Sequence, residues 1–437
     1  MVSRPLKTPE RAGAPACTGT LGRQRLASLV PELLLAGHLI DRAAMPHVLA
    51  RLGREGMTAV AIEEWLAASP VYTRRMQQAL GFPGADVPTV FKGMQLDIGA
   101  PPQFMDFRYQ VHDARHGAFH LDHCGALLDV EPMGPDYVTA MCHDIEDPTF
   151  DGTAAATNPR ARCRPVHRPP RAPADRTPHC EWTVTIDEDA PPAPYPPQAA
   201  AMDRTEAARV PLDRIVPGSG GRDDYAGPLL ADLRWDEWSG PALHRMAQEI
   251  ALQGHMLVLG SAMALRNRLD ARDVQDILLH QCTGIAAVTS DRLCTALDLP
   301  RNSTGLAELL AIHPALTPYP YVGARVVPGP EPVLELPQDS PAVRDGAWPA
   351  LLATRAGAPA LDALVRGVDP RFSTHIVSGP EKEGGAAGRR VVRIAIRTDA
   401  RPHPESDDAA LTRFSGGAGF AFDDARPSLP LTVVGSG

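Results

Sequence analysis

The chain has 437 residues, of which 44% are hydrophobic, with 45 prolines, 37 glycines and a net charge of −9. This length and apolar content predict several domains with a sizeable core and exclude a disordered chain. The acidic charge disfavours nucleic-acid partners, no apolar run is long enough to span a membrane, and the first 25 residues lack a secretory signal. We therefore expect a cytoplasmic protein with a small-molecule substrate and no nucleic-acid or membrane partner. A homo-oligomer is compatible with the sequence.

Two features of residue usage bear on the chemistry. The seven cysteines are an odd number in a chain without a secretory signal, which favours free thiols over a disulfide framework. Only 3 of the 43 basic residues are lysines. Together with the abundant alanine, glycine and proline, this bias indicates GC-rich coding of a bacterial type, so we assign no function to the arginine count.

The first half of the chain contains both helical and strand patterns. Apolar residues recur at helical spacing through Gln24–Gly81, which predicts a packing layer of helices without a ligand cluster. Ala118–His123 alternates between apolar and polar side chains, so we predict a strand that ends at Cys124 and leads into a short helix over Ala126–Val130. Glu181–Asp187 is a second predicted strand, because it is rich in β-branched residues.

The second half begins with a proline-rich run, Pro191–Pro197, which predicts an exposed linker and a domain boundary. Residues 238–297 then predict a pair of helices, because Ser239 and Asp270 can act as their N-caps. Near the C-terminus, Arg390–Thr398 alternates like a half-buried strand. A glycine-rich turn at 383–388 precedes this strand.

These patterns predict an α+β fold. It consists of an α/β Cys/His-rich domain flanked by helical segments, with a β-containing C-terminal part in which Phe372–Val377 pairs with the strand after the turn. We divide the chain into a flexible tail (1–22), a helical segment (23–85), the Cys/His-rich domain (86–189), a proline-rich linker (190–225), a second helical segment (226–300) and a mixed C-terminal part (301–437).

Half of the cysteine and histidine residues lie close together in the sequence. The 69 residues from His112 to Cys180 hold 7 of the 15 histidines and 4 of the 7 cysteines. A cysteine and a histidine that are adjacent on a strand point to opposite faces, so one member of such a pair can face a site while the other packs. Three such pairs occur: His123-Cys124, Cys142-His143 and His179-Cys180.

One interpretation of this cluster is a metal site. Thiolate and imidazole ligands suit Zn²⁺ or Fe²⁺, so zinc or iron is a candidate cofactor. The cluster contains no zinc-finger spacing of cysteines, and the alternative is a His-rich strand and loop held by ordinary hydrogen bonds. The candidate ligands are His116, His120, Cys124, Cys142, His179 and Cys180.

A second interpretation is nucleophilic catalysis. Cys124 lies at the predicted junction of strand and helix, where a helix N-terminus and a nearby imidazolium lower the pKa of a thiol. A neighbouring histidine would act as the base, and an acidic residue from the run that ends at Asp147 would orient it. For each thiol the alternative is a buried structural cysteine. The candidate catalytic residues are Cys124, His123, Cys142, His143, Asp144 and Glu146.

Three stretches within residues 118–186 resemble the 2-amino-thiazoline-4-carboxylate hydrolase family: Phe119–Gly134, Cys142–Asp147 and His179–Val184. The features that match are a strand that ends in Cys124, a helix that closes at a glycine, and a late strand that begins at Cys180. Between them, Cys142 begins an element that resembles the family's Cys-x-x-Asp. The resemblance implies an enzyme that hydrolyses a C–N bond of a cyclic amidine or amide.

The resemblance leaves the acidic residue of the site open. Strict spacing places the family's aspartate at Ile145, so Asp144 or Glu146 must serve here. Arg168 and Arg171 would bind a carboxylate of the substrate through paired hydrogen bonds. We therefore predict a small-molecule hydrolase. The alternatives are a non-enzymatic protein that binds a metal or a small ligand, and a metal-dependent oxidoreductase that uses the same cluster.

Overall fold

The computed structural model describes residues 13–218, 220–382, 390–423, 425–426 and 431–433. They form an α+β fold of two five-stranded sheets and a layer of long helices. Among these residues, no helix combines the length and the apolar character that crossing a membrane requires. The fold class therefore agrees with the one that the sequence predicts.

The strands form two separate sheets. In chain order they are β1 (Ala14–Pro15), β2 (Met105–Val111), β3 (His116–Cys124), β4 (Ala161–His167), β5 (Cys180–Ile186), β6 (Arg325–Val327), β7 (Val333–Pro337), β8 (Phe372–Lys382), β9 (Arg390–Thr398) and β10 (Thr432–Val433). One sheet has the order β1-β6-β7-β9-β8 and is antiparallel throughout. The other has the order β10-β2-β3-β5-β4, and only its β10–β2 pair is parallel.

The helices account for most of the ordered backbone. They are α1 (Arg23–Ala79), α2 (Val87–Gln95), α3 (Gly125–Val130), α4 (Pro135–Thr139), α5 (Glu146–Thr157), α6 (Pro197–Met202), α7 (Glu206–Arg209), α8 (Gly240–Arg266), α9 (Ala271–Ala296), α10 (Ser303–Ile312), α11 (Tyr319–Val322), α12 (Pro341–Asp345), α13 (Trp348–Leu352), α14 (Ala358–Arg366) and α15 (Asp407–Thr412). A short π-helical segment, Ala140–Ile145, joins α4 to α5.

Helix α1 turns back on itself at Gly53. This residue has φ 68° and ψ −179°, a conformation that is essentially restricted to glycine. In a straight helix, positions 41 and 65 would lie about 36 Å apart at 1.5 Å per residue. Instead, Trp65 Nε1 donates a hydrogen bond of 3.3 Å to Asp41 Oδ2. The two halves of α1 are therefore neighbours.

The elements that the sequence predicts are largely confirmed. Helix α1 covers the first helical pattern, and β3 and β5 match the two predicted strands. Ser239 accepts a hydrogen bond from the Ala242 amide at the start of α8, and Asp270 accepts from two amides at the start of α9, as their predicted capping roles require. Strands β8 and β9 pair as the predicted hairpin, and its turn at 383–388 lies outside the described residues.

Two segments that the sequence analysis treats as a tail and a linker contain packed residues. Residues 1–12 lie outside the described part, but β1 pairs with β6 and Ala16 is fully buried. In the proline-rich segment, Pro191, Pro192 and Pro194 are exposed as predicted. Further along, apolar side chains such as Met202 and Tyr225 are fully buried. One continuous apolar core contains residues from both sides of this segment.

Candidate active site

An apolar cavity of about 440 Å³ lies between the two halves of α1, helix α5 and the C-terminal part of the chain. Met45, Leu49, Trp65 and Phe107 belong to its mainly apolar wall. Mostly apolar space with a few polar groups is the usual form of a site for a small molecule. Apart from Tyr137, the ionisable residues that line it are His38, Asp41, Arg42, Asp97, Asp129 and Glu146.

Four of these ionisable side chains carry buried atoms without a hydrogen-bond partner of ordinary geometry among the described residues. The atoms are both ring nitrogens of His38, Oδ1 of Asp41, Nε of Arg42 and Oε2 of Glu146. Buried polar groups in native proteins are nearly always paired, and leaving one unpaired costs about 1–3 kcal/mol. Their position around one cavity would suit a bound molecule with polar groups.

Arg42 supplies a positive charge that several of these groups share. Its side chain is 11% exposed, and its Nε lies 3.8 Å from Oδ2 of Asp129. Asp129 itself accepts hydrogen bonds from the Ser415 hydroxyl and the Gly416 amide. Burial lowers the pKa of His38 to about 3, and the charge of Arg42 contributes to this shift, so the imidazole is neutral at physiological pH.

Asp41 forms a buried acidic pair with Glu64, which lies behind the cavity wall. Burial raises the pKa of Glu64 well above its usual value, and the charge of Asp41 raises it further. Burial also raises the pKa of Asp41, but the charge of Arg42 and the hydrogen bond from Trp65 oppose that shift. The charge of Arg42 and the hydrogen bond from Trp65 thus favour the ionised form of Asp41, whereas burial and the charge of Asp41 favour the protonated form of Glu64.

Glu146 begins α5 and faces the cavity. Burial raises its pKa to about 8, although the charges of Arg168 and Arg42 act in the opposite direction. At neutral pH the carboxyl group is therefore mostly protonated and can donate a proton. Asp144, the other acid that the sequence analysis leaves open, is exposed. Of these two predicted residues, only Glu146 lines the cavity.

The structure brings together three of the four cysteines of the predicted cluster, Cys124, Cys142 and Cys180. The pKa values of Cys142 and Cys180 are raised above the usual value by burial first, then by the charge of Glu146, and then by neighbouring thiols. Burial raises the pKa of Cys124 to about 12. None of the three side chains is among the residues that line the cavity. At neutral pH these groups are thiols and not thiolates.

Cys124 has a structural contact that explains its place in the sequence. Its Sγ accepts a hydrogen bond of 3.3 Å from the Leu127 amide and thereby caps α3. The sulfur lies 3.9 Å from that of Met105, which is one of the cavity residues. The thiol is therefore directly behind the cavity wall, at the junction of strand and helix that the sequence predicts.

The predicted histidines bind to several different partners. The ring Nδ1 of His123 is 2.9 Å from the Phe104 carbonyl oxygen, and Nε2 of His143 is 2.7 Å from that of Pro169. His116 and His120 each lie next to an aspartate. His179 is 6.2 Å from the His123 ring, measured between ring centroids.

Both predicted substrate-binding arginines form ion pairs. Arg168 pairs with Asp147, and Arg171 donates two hydrogen bonds of 2.8 Å to Glu131. Neither arginine is among the residues that line the cavity. A carboxylate substrate at this position would have to displace one of these acidic partners.

The predicted metal ligands do not converge. Within the described part of the chain, only one group of three histidine, cysteine or carboxylate side chains has donor atoms that all lie within 4.8 Å of one another, namely His47, His280 and Asp408. No three donors of the predicted set meet this condition among the described residues. His116 and His120 lie on β3 beside aspartates, whereas the three thiols are buried. The predicted set is His116, His120, Cys124, Cys142, His179 and Cys180.

Comparison with family models, with curated proteins and with solved structures finds no match to the chain in any of the three. The resemblance to the hydrolase family therefore stays a prediction.

Sequence reasoning missed the α1 residues of the site. The first helical pattern is interpreted above as a packing layer, yet His38, Asp41 and Arg42 lie on it and face the cavity. A signal was present, because His38 interrupts one of the most apolar stretches of the chain, Leu26–Ile40, and Asp41 and Arg42 follow it directly. Their meeting with Glu146 required the tertiary structure.

Proposed function

We propose that this protein is a small-molecule hydrolase that cleaves a C–N bond of a cyclic amidine or amide inside the cavity. The observation that carries the proposal is the group of buried ionisable side chains, His38, Asp41, Arg42 and Glu146, around one mainly apolar space, in which Oε2 of Glu146 has no hydrogen-bond partner among the described residues. The resemblance of residues 118–186 to a hydrolase of cyclic amidines adds support, because Glu146 lies in the matching segment.

Two buried acids at one cavity can divide between them the two proton transfers of hydrolysis. In its ionised form, Asp41 accepts a proton from water as the water oxygen forms a bond to the amidine or amide carbon. Protonated Glu146 donates its proton to the departing nitrogen as the C–N bond breaks, and the product carries the water oxygen. Proton transfer by a positioned acid or base contributes about 100- to 10,000-fold to a rate.

The lining of the cavity supports a particular substrate class. Acidic groups outnumber Arg42, so a cationic amidine would find carboxylate partners, while Arg42 suits a carboxylate on the same molecule. The apolar wall favours a ring or chain without further charges. We therefore infer an amidine or amide carried on a mainly apolar skeleton.

The test is turnover of 2-amino-thiazoline-4-carboxylate and of cyclic amidines with larger apolar substituents. Glu146→Gln keeps the size of the side chain but removes its proton, so we expect kcat/KM to fall about 100- to 10,000-fold. Asp144→Asn is the matched control, since Asp144 is two residues away and exposed. An equal loss of kcat/KM in both variants, or no loss in Glu146→Gln, would contradict the assignment of Glu146 as the proton donor.

Cys124→Ser separates this mechanism from catalysis by a thiolate. Because the thiol is protonated and caps α3 from behind the wall, we expect the variant to retain turnover per folded molecule. The serine hydroxyl can keep the Leu127 amide as its partner, so we expect the free energy of unfolding to fall by less than the ~1–3 kcal/mol that an unpaired buried hydroxyl costs. A stable variant with no turnover would instead favour the thiolate mechanism and overturn the acid–base one.

Binding without turnover is the second candidate. The observation in its favour is that the pKa of Cys124 is raised and no thiol of the cluster lines the cavity, so no thiol is activated there as a nucleophile. Benzamidine, an apolar amidine, serves as the probe in calorimetric titrations. Binding that weakens in Asp41→Asn, in a protein that hydrolyses none of the amidines, would support a binding protein.

A further inference from the structure

A cluster of two histidines and an aspartate lies outside the predicted Cys/His segment. His47 belongs to α1, His280 to α9 and Asp408 to the first turn of α15. The Nε2 atom of His47 is 3.3 Å from Oδ1 of Asp408, and Nδ1 of His280 is 3.0 Å from the same oxygen. The two imidazole rings are stacked with 4.4 Å between centroids and 8° between planes.

These separations match those of ligands around a single ion. Two ligand atoms, each about 2.0–2.1 Å from a tetrahedral Zn²⁺, lie about 3.3 Å apart. All three donor atoms of the cluster lie within 4.8 Å of one another. Two imidazole nitrogens and one carboxylate oxygen form a donor set that suits zinc better than calcium or magnesium, which prefer oxygen ligands.

The fold brings α15 unusually close to α9 at this place. A Cβ atom on Gly284 would lie 2.3 Å from Thr412 Oγ1 and 2.9 Å from the backbone oxygen of Asp408, so only glycine permits the approach. Gly284 is one helical turn after His280 on α9. This contact fixes Asp408 beside the imidazole of His280.

We propose that His47, His280 and Asp408 bind a divalent cation, with zinc as the preferred ion and one coordination position left for water or another ligand. The side chains are partly exposed, 18% for His47, 43% for His280 and 17% for Asp408, so an ion can enter from solvent. Three protein ligands and an open position are typical of zinc sites that hold a water molecule.

The site lies next to the rim of the apolar cavity. Pro46 precedes His47 and lines the cavity, and so do Leu411 and Thr412 of the same short helix as Asp408. A bound cation would join α15 to α1 and α9 at this rim. It would thereby hold one wall of the cavity in place.

The experiment measures the uptake of Zn²⁺ by calorimetric titration of the full chain, purified without a metal-affinity tag. We expect one ion per chain. Loss of a side chain that only supports a ligand weakens metal binding about 10- to 100-fold, and loss of a ligand costs at least as much. His280→Gln and Asp408→Asn should each show at least this loss.

The matched control is His403→Gln. His403 also lies beside an aspartate, with Nε2 2.7 Å from Asp399 Oδ2, but it is not part of the three-donor group. We expect its zinc affinity to equal that of the wild type. Circular dichroism of each metal-free variant shows whether it is folded. His280 is partly exposed and does not belong to α15, so His280→Gln tests the site even if Asp408→Asn disturbs the packing of α15.

Two results would overturn the proposal. One is a wild-type chain that takes up no zinc, and the other is a folded His280→Gln variant that binds zinc as tightly as the wild type. Because the titration needs no substrate, either result would leave the proposed hydrolase untouched.

Discussion

At Glu146 a carboxyl group is placed in an apolar cavity with one oxygen buried and unpaired. Burial raises its pKa from an ordinary value of 4.5 to about 8. Between these two pH values the folded protein holds a proton that the unfolded chain has released. The stability that this proton contributes is therefore complete below pH 4.5 and is lost as the pH rises through about 8.

We expect the free energy of unfolding to report this proton directly. The glutamine in Glu146→Gln cannot ionise. As the pH rises from the unfolded-state to the folded-state pKa of Glu146, the free energy of unfolding of wild type should therefore fall relative to that of the variant by about 1.4 kcal/mol per pH unit. Urea unfolding at a series of pH values from 5 to about 9 measures the difference. Asp144→Asn should run parallel to wild type over the same range, because that carboxyl group is exposed. Parallel curves for Glu146→Gln and wild type would show that Glu146 ionises normally.

The residue scale also shows how far the sequence alone can identify a site. The sequence places an acidic residue of the site at position 144 or 146 but cannot choose between the two, because both belong to the same acidic run. The choice follows from the start of α5 at Glu146, which turns this side chain toward the cavity and leaves Asp144 in solvent.

At the scale of elements, the reversal of α1 decides which residues meet. The half before Gly53 carries His38, Asp41 and Arg42, and the half after it carries Glu64 and Trp65. Helix α8 packs against both halves, since a Cβ on Gly254 would contact Ile40 and one on Gly260 would contact the Glu64 backbone. The acidic pair thus depends on the backbone conformation of one glycine.

Gly53→Ala is expected to destabilise the protein. Its φ of 68° and ψ of −179° are strained for any residue with a Cβ, at a cost of about 1–3 kcal/mol, although the Cβ itself would meet no atom within 4 Å. Urea unfolding measures the loss. Gly22→Ala is the control, because Gly22 also has open space around it but an ordinary φ of −65°. A Gly53→Ala variant as stable as Gly22→Ala would contradict the strain expected at position 53.

At the scale of the whole molecule, one apolar core extends from Ala16 to Ala418. It includes residues on both sides of the proline-rich segment and residues within the predicted linker, such as Met202 and Tyr225. Segments that share a core lose it together when they unfold, so we expect cooperative behaviour of the whole chain.

We predict that cutting the exposed proline-rich segment will not separate the molecule. A protease site inserted between Pro191 and Pro192, which are both exposed, leaves two fragments after cleavage. Because the fragments share the core, they should elute together at the mass of the intact chain and unfold in one transition. Two fragments that separate in native buffer and each remain folded would instead support a domain boundary at 190–225.

The sequence by itself determined the local elements of this protein. The alternation over Ala118–His123 specifies β3, and Ser239 and Asp270 specify the starts of α8 and α9, because each pattern acts within a few residues of the backbone that it shapes. The clustering of cysteines likewise indicated that Cys124, Cys142 and Cys180 lie near one another. All of this information is local in the chain.

Only the tertiary structure decided which polar groups are buried together. Asp41 and Glu146 are 105 positions apart, and His47, His280 and Asp408 come from three distant helices, so no spacing in the sequence relates them. Whether a carboxyl group is solvated or loses its water depends on what packs over it, and that covering comes from remote segments such as α5, α8 and α15. The pattern of each single element predicts its apolar face. The pKa values and the partners of the polar groups depend on how those faces pack against one another.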